Sequence, residues 1–214
     1  EPINENLRWE VGQTINIGLD YSLFDSKISG SINVYKKKTT DLIANSNIDP
    51  FTNFGSRIDK NIGDMENKGI EFALNFSPIK NENFEWNINY NMSFNDNKVV
   101  RLPFEQSVGG ISGGVGNNIQ THQEGFAPFS FLVYKQAYDT NGKPLEGVFI
   151  DRNGDNIINS DDRYIYKDPY ADVIMGLNTN LSYNNWDFTV ATRANIGNYA
   201  YNNVASSNAY LTRA

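Results

Sequence analysis

Every second residue of FEWNINYNMSFN is apolar, and that period limits the chain more than anything else in it. Phe84, Trp86, Ile88, Tyr90, Met92 and Phe94 alternate with Glu85, Asn87, Asn89, Asn91, Ser93 and Asn95. A two-residue period gives a strand with one apolar and one polar face. The same pattern opens the chain, where Leu7, Trp9, Val11, Ile15, Ile17, Leu19, Tyr21 and Leu23 share a face opposite Arg8, Glu10, Thr14, Asn16, Asp20 and Ser22. It recurs in KISGSINVYK (Ile28, Ile32, Val34) and in KGIEFALNFS (Ile70, Phe72, Leu74, Phe76). It returns in VIMGLNTNLSY (Val173, Met175, Leu177, Leu181, Tyr183) and in WDFTVATRANIG (Trp186, Phe188, Val190, Ile196). A complement of 13 Phe, 12 Tyr and 3 Trp suits strands and loops better than helices. The periodicity predicts an all-β chain of about seven strands.

The connections are of two kinds. Asp25–Ser26–Lys27, Lys80–Asn81–Glu82–Asn83 and Asn184–Asn185 are short polar turns that make antiparallel hairpins. Long connections are expected over about Asn45 to Asp64, over about Lys98 to Pro128, and around an acidic segment further on. Short turns alternating with long loops describe an up-and-down barrel with two unlike rims. Alternation by itself also fits a soluble antiparallel sandwich with its apolar face inward. Strand length and content favour the barrel. Several strands reach the ~9–11 residues of a tilted span, where soluble strands average about 5–6. Aromatics mark strand ends (Trp9, Tyr21, Phe84, Phe94, Tyr183, Trp186), as an interfacial girdle requires, and ionic Arg193 and Asp20 fall on the polar face. The expected fold is an antiparallel up-and-down transmembrane β-barrel segment with long extracellular loops.

Composition narrows the function classes. The first residues, from Glu1, lack the charged and apolar regions of a signal peptide and read as those of a mature or excised segment. No run approaches 18 apolar residues, which excludes helical spans only. A net charge of −7 without a basic stripe argues against a nucleic-acid partner. Without cysteine there are no disulfides or thiolate metal sites, and the single His122 cannot build a zinc site and reads as a surface residue. The glycine-rich run VGGISGGVGNN, Val108 to Asn118, lacks the Lys-Ser/Thr of a phosphate loop and reads as an exposed flexible loop. Phe51, Phe54, Phe104, Phe126 and Phe129 in the long loops could stack on sugar rings, but packing of the loops on one another is the expectation. No nucleophile–base pair or spaced carboxylate pair shares a strand face, so no catalytic residue is expected.

The acidic segment DRNGDNIINSDD sets Asp151, Asn153, Asp155, Asn159 and Asp162 at positions 1, 3, 5, 9 and 12 of a twelve-residue loop. These positions converge oxygen ligands on calcium. The loop departs from the EF-hand pattern at position 6, where Asn156 replaces Gly, and at position 12, where Asp162 replaces a bidentate Glu. Asn tolerates the left-handed turn; the shorter Asp reduces reach. No amphipathic helices flank it, so a calcium sensor is not expected. The competing reading is a turn whose side chains bond their own backbone. Five oxygen-bearing residues in register favour a structural calcium ion on these five residues.

The sequence also resembles a known family, the SusC/RagA-type TonB-dependent transporters of the Bacteroidetes outer membrane. LRWEVGQTINIGLDYSLFDSKISGSINVYKKKTTDLI resembles the hairpin that ends in the family's Tyr-Lys-Lys-Lys-Thr-x-Asp-Leu signature, here Tyr35 to Leu42. IGDMENKGIEFALNF, Ile62 to Phe76, is similar to its most recognisable segment, with Asn67, Gly69 and Glu71 in place. FNDNKVVRL, GFAPFSFLVYKQAYDTNGKPLEG, the acidic loop and MGLNTNLSYNNWDFTV follow in the family's order. The resemblance implies that residues 1–214 are part of a TonB-dependent receptor barrel of about 22 strands, without the plug, the TonB box and the final strands. It implies residence in the outer membrane of a Gram-negative bacterium, in contact with outer-membrane lipid. It implies TonB engagement through the N-terminal part and a SusD-like lipoprotein partner, met by the loops at Asn45–Asp64 and Lys98–Pro128. It further implies uptake of oligosaccharide or peptide, with substrate-binding residues not assignable. The alternative from another class is a secreted calcium-binding β-sandwich for carbohydrate binding or adhesion.

Overall fold

The protein is described here from a computed structural model, covering residues 3–53, 55–110 and 118–208. Four long strands come first: β1 (Val11–Leu23), β2 (Ile28–Asn47), β3 (Arg57–Lys80) and β4 (Phe84–Arg101). Six short ones follow, β5 (Gln106–Gly110), β6 (Asn118–His122), β7 (Ser130–Val133), β8 (Gln136–Tyr138), β9 (Pro144–Phe149) and β10 (Tyr164–Ile165). β11 (Val173–Tyr183) and β12 (Trp186–Ile196) complete the set. The long strands and the last two form one six-stranded sheet in the order β1-β2-β3-β4-β11-β12. Every neighbouring pair in it is antiparallel. Among the described residues this chain therefore contributes six strands to the wall, where the periodicity predicts about seven.

Register converts the sequence alternation into two chemically different faces. One row crosses all six strands through Leu19, Ile32, Phe72, Met92, Met175 and Ala194. One residue along, the facing row is Asp20, Ser31, Ala73, Asn91, Gly176 and Arg193. A slip of one residue in any strand would exchange the two. Nothing among the described residues covers the apolar face: Ile17 is 72% exposed, Leu19 62% and Phe188 61%. A soluble sandwich would bury that face against a second sheet, so the alternative fold does not describe this chain. The apolar stripe from Phe84 to Phe94 runs about 34 Å along the strand. A tilt of about 40° projects it to about 26 Å, the height of an outer-membrane apolar band.

The three short turns lie at one rim. Asp25 and Ser26 both take positive φ, 53° and 64°, the pattern of a primed hairpin turn. At the next turn the Asn81 carboxamide accepts the N–H groups of Asn83 (3.0 Å) and Phe84 (2.9 Å). The Asn184 N–H donates to the Asn83 carbonyl at 2.8 Å, tying the last two turns together.

The opposite rim departs from the sequence reading. Asn45–Asp64 is mostly strand, because β2 and β3 stay paired as far as Asn47 opposite Arg57, with only a short helical turn at Pro50–Asn53 near the tip. Above the apolar band both faces are wet, so the strands continue without the stripe that would reveal them. The Lys98–Pro128 stretch likewise holds the end of β4 and all of β5 and β6. β5, β6, β7 and β10 form a second sheet, in the order β10-β7-β6-β5, and β8 pairs with β9 in a separate hairpin. Of the glycine-rich run, Val108–Gly110 ends β5 and Asn118 begins β6; the residues between lie outside the described ones. The buried apolar residues Ile62, Val99, Ile119, Phe131 and Leu132 belong to this rim, not to the membrane-level sheet. Val99 exchanges backbone hydrogen bonds with the loop, donating to Phe126 at 2.9 Å and accepting from Gly125 at 2.8 Å.

Candidate functional site

The polar face of the sheet is a surface of carboxamides and hydroxyls that bond one another across strands. Ser77 Oγ donates to Asn87 Oδ1 at 2.6 Å, Asn67 Nδ2 to Asn97 Oδ1 at 2.8 Å, and Thr189 Oγ1 to Asn180 Oδ1 at 2.9 Å. Ser31, Asn33, Glu71, Asn91 and Ser93 line a shallow recess of about 240 Å³ on it. Groups of this kind both donate and accept, which keeps a passage hydrated and lets it contact neutral polar solutes. One feature of this face was not visible in the sequence. Tyr35 lies over Gly69 and donates to Asn95 Oδ1 at 3.0 Å. On the apolar face two ring donors find partners within the sheet, as a lipid surrounding favours. Trp86 Nε1 donates to Thr179 Oγ1 at 2.8 Å, and Tyr21 reaches across Gly30 to the Ala73 carbonyl at 3.3 Å.

The five residues expected to ligate calcium lie in one loop between β9 and β10. Asp151 accepts the N–H groups of Gly154 (2.6 Å) and Asn156 (2.7 Å). Asn153 Oδ1 accepts from Asp155 at 3.0 Å, and its Nδ2 donates to Asp155 Oδ2 at 2.9 Å. Asp155 accepts from Ile157 at 2.8 Å and Asn159 from Asp161 at 2.7 Å. Asn156, at position 6, has φ +65°, the left-handed turn that position requires. Asp162 is wholly buried, in a 3₁₀ turn over Ser160–Asp162 that Asn159 caps. Its carboxylate accepts from Arg152 (2.7 Å), Asn153 (3.4 Å) and Asn159 (2.9 Å). Those N–H groups, Asn159 and Arg152 foremost, hold its carboxyl below the ordinary range against the cost of burial, and the Asp151 side chain adds a smaller contribution. All five side chains are thus engaged with the loop's own backbone. Among the described residues no three acidic or histidine side chains are gathered as a metal cluster.

His122 is half-buried rather than a surface residue. Its ring meets Phe129 edge-on at 4.5 Å, and Nε2 has no hydrogen-bond partner among the described residues. Burial pushes its pKa down, so the imidazole stays neutral near pH 7. It lines a cavity of about 310 Å³ between the extended ends of β2–β4 (Leu42, Ile62, Val99) and the loop (Pro128, Phe129). The loop aromatics pack less than expected: Phe51 is 94% exposed, and Phe104 and Phe126 are also exposed. Phe54 lies outside the described residues. The β8–β9 hairpin and the acidic loop add an exposed apolar group of Tyr138, Leu145, Val148, Ile157 and Ile158.

Comparison with known proteins agrees with this two-faced wall. The family described as "TonB dependent receptor-like, beta-barrel" matches residues 2–192. The chain is 42% identical to the TonB-dependent receptor SusC of Bacteroides thetaiotaomicron, over 98% of the chain and 22% of that protein. It is 34% identical to TonB-dependent receptor P3 of Formosa agariphila, over 91% of the chain and 21% of that protein. The RagAB peptide transporter structure superposes with a TM-score of 0.70 at 17% identity, covering 91% of the chain and 22% of that structure's chain. The RagAB peptide importer in its open-open state gives a TM-score of 0.72 at 16% identity, over 91% of the chain and 21% of its own. The chain spans about a fifth of the length of these relatives. The family match over residues 2–192 and the 42% identity to SusC carry the assignment: the chain belongs to the TonB-dependent receptor-like β-barrel family, SusC-like, of the Gram-negative outer membrane.

Proposed function

We propose that the protein takes up oligosaccharide or peptide nutrients across the outer membrane in a TonB-dependent manner, with a SusD-like lipoprotein as its surface partner. The observation that carries this reading is the register of the six strands. It sets a face of polar and small residues against a largely apolar face. The segment supplies wall, lumen and outer rim; in this reading energy coupling lies in parts of the protein outside it. The partner would meet the rim at the exposed apolar side chains of the β8–β9 hairpin and at the tip between β2 and β3. Deleting the gene should abolish growth on one class of oligomer and spare growth on its monomer, with a lipoprotein co-purifying with the tagged full-length protein. Unchanged growth on every oligosaccharide and peptide tried would sink the transport reading.

A calcium ion held by Asp151, Asn153, Asp155, Asn159 and Asp162 is proposed as a staple of the rim loop, with no part in chemistry. Its support is the ligand register and the left-handed turn at Asn156. Calcium should protect the loop of the full-length protein from proteolysis, and Asp151→Ala should remove that protection. Equal cleavage with calcium and with chelator would leave backbone bonding as the whole account.

A further inference from the structure

The last apolar row of the outward face crosses all six strands through Ile17, Val34, Ile70, Phe94, Val173 and Ile196. Towards the long-loop rim, the next row on the same face is Ile15, Lys36, Lys68 and Asp96, and the one after it is Gln13, Lys38, Glu66 and Lys98. Each row advances two residues, about 7 Å along the strand. The charged rows therefore stand at headgroup depth on the leaflet facing outward, because the long-loop rim is the extracellular one. Lys36 stands directly opposite Lys68, a like-charge pairing that destabilises a sheet. Two acids relieve it, Glu66 diagonally with Lys36 at 2.8 Å and Asp96 directly opposite Lys68 at 3.2 Å. Both acids are thereby taken. Lys38 and Lys98 flank Glu66 in register, are exposed, and have no ion pair among the described residues. The patch carries four ammonium groups and two carboxylates, on a chain whose net charge is −7.

We propose that this patch binds the phosphate-bearing headgroup of an outer-leaflet lipid. The apolar rows below it would lie along the acyl chains, and Lys38 and Lys98 would meet the phosphate. A flexible ammonium is a point-charge partner for phosphate. Basic clusters beside an apolar span attract anionic lipid by roughly a fivefold gain in binding per lysine. A face turned to the bilayer at this depth is reached by lipid first, which decides the occupant. The neighbouring Lys37 points to the other face and takes no part.

The test is native mass spectrometry of the full-length protein in detergent. The probes are an outer-leaflet glycolipid carrying phosphate, the same lipid after dephosphorylation, and inorganic phosphate. The wild type should hold the phosphorylated lipid in preference to the dephosphorylated form. Lys38→Gln and Lys98→Gln should each weaken that binding roughly fivefold, while Lys37→Gln leaves it unchanged; heat-dependent gel mobility confirms that each variant is folded. Equal binding of the two lipid forms by the wild type overturns the proposal without recourse to any variant. So does a double variant that binds as the wild type does, or displacement of the lipid by an equal concentration of inorganic phosphate.

Discussion

Gly69 shows how one missing side chain places another. A Cβ there would lie 2.6 Å from the Tyr35 hydroxyl and 2.8 Å from its ring carbon, and would also meet the Phe94 carbonyl. Gly69→Ala should displace Tyr35 and lower stability by roughly 1–3 kcal/mol, whereas Tyr35→Phe, which loses only the bond to Asn95, should cost about 1 kcal/mol. The temperature at which the full-length protein loses its compact gel mobility checks both, and equal effects would show that Gly69 does not act through Tyr35. His122 gives a pH dependence with a definite sign. Its pKa is lowered by burial from the ordinary 6.5, so the unfolded state takes up the proton first as pH falls. Its contribution to rim stability is complete above about pH 6.5 and declines as pH falls from there to the lower folded value. His122→Leu should remove that component, read from melting at pH 5.0 and pH 7.5. Neither arrangement was legible in the sequence. Gly69 meets Tyr35 across a strand pair, and His122 meets Phe129 through a loop return, and both are contacts that no spacing records.

At the level of elements, the period of two located every strand of the membrane wall and the face each presents. It did so because lipid on one side and water on the other impose opposite demands on successive residues. Arginine tests the two faces at adjacent positions. Leu74→Arg, in the central row with Tyr90, should cost about 2–4 kcal/mol near mid-membrane and Asn75→Arg little, as judged by the folded fraction recovered in outer membranes. Similar losses at both positions would contradict the assignment of faces. The extended ends of β2 and β3 were read as a loop because their residues have no dry side and need no stripe. Backbone pairing there predicts slow hydrogen exchange at residues 42–48 and 57–63 and fast exchange at 49–53. Uniformly fast exchange would restore the loop. The strands of the second sheet, two to five residues long, are too short for periodicity to register.

For the whole molecule, the two rims should differ in access. A cysteine replacing Asn141 in the β8–β9 turn should be labelled on intact cells by an impermeant reagent. One replacing Glu82 in the β3–β4 turn should react only after the outer membrane is opened. The opposite pattern would invert the barrel and remove the lipid patch from the outer leaflet. The acidic loop shows the limit of motif reading at this scale, since the same five residues form a bonded turn network whether or not a cation joins them. The sequence by itself determined the class of wall, the order and faces of its strands and the three tight turns, because alternation and turn chemistry are local properties of residues one to four apart. Only the tertiary structure decided that β4 pairs with β11 across everything from Leu102 to Asp172, and that the intervening chain builds a sheet of its own. It alone decided that the lysines beyond Val34 and Ile70 stand together at the edge of the apolar band. Those outcomes depend on register between distant strands, and register is fixed by which rows must meet lipid together.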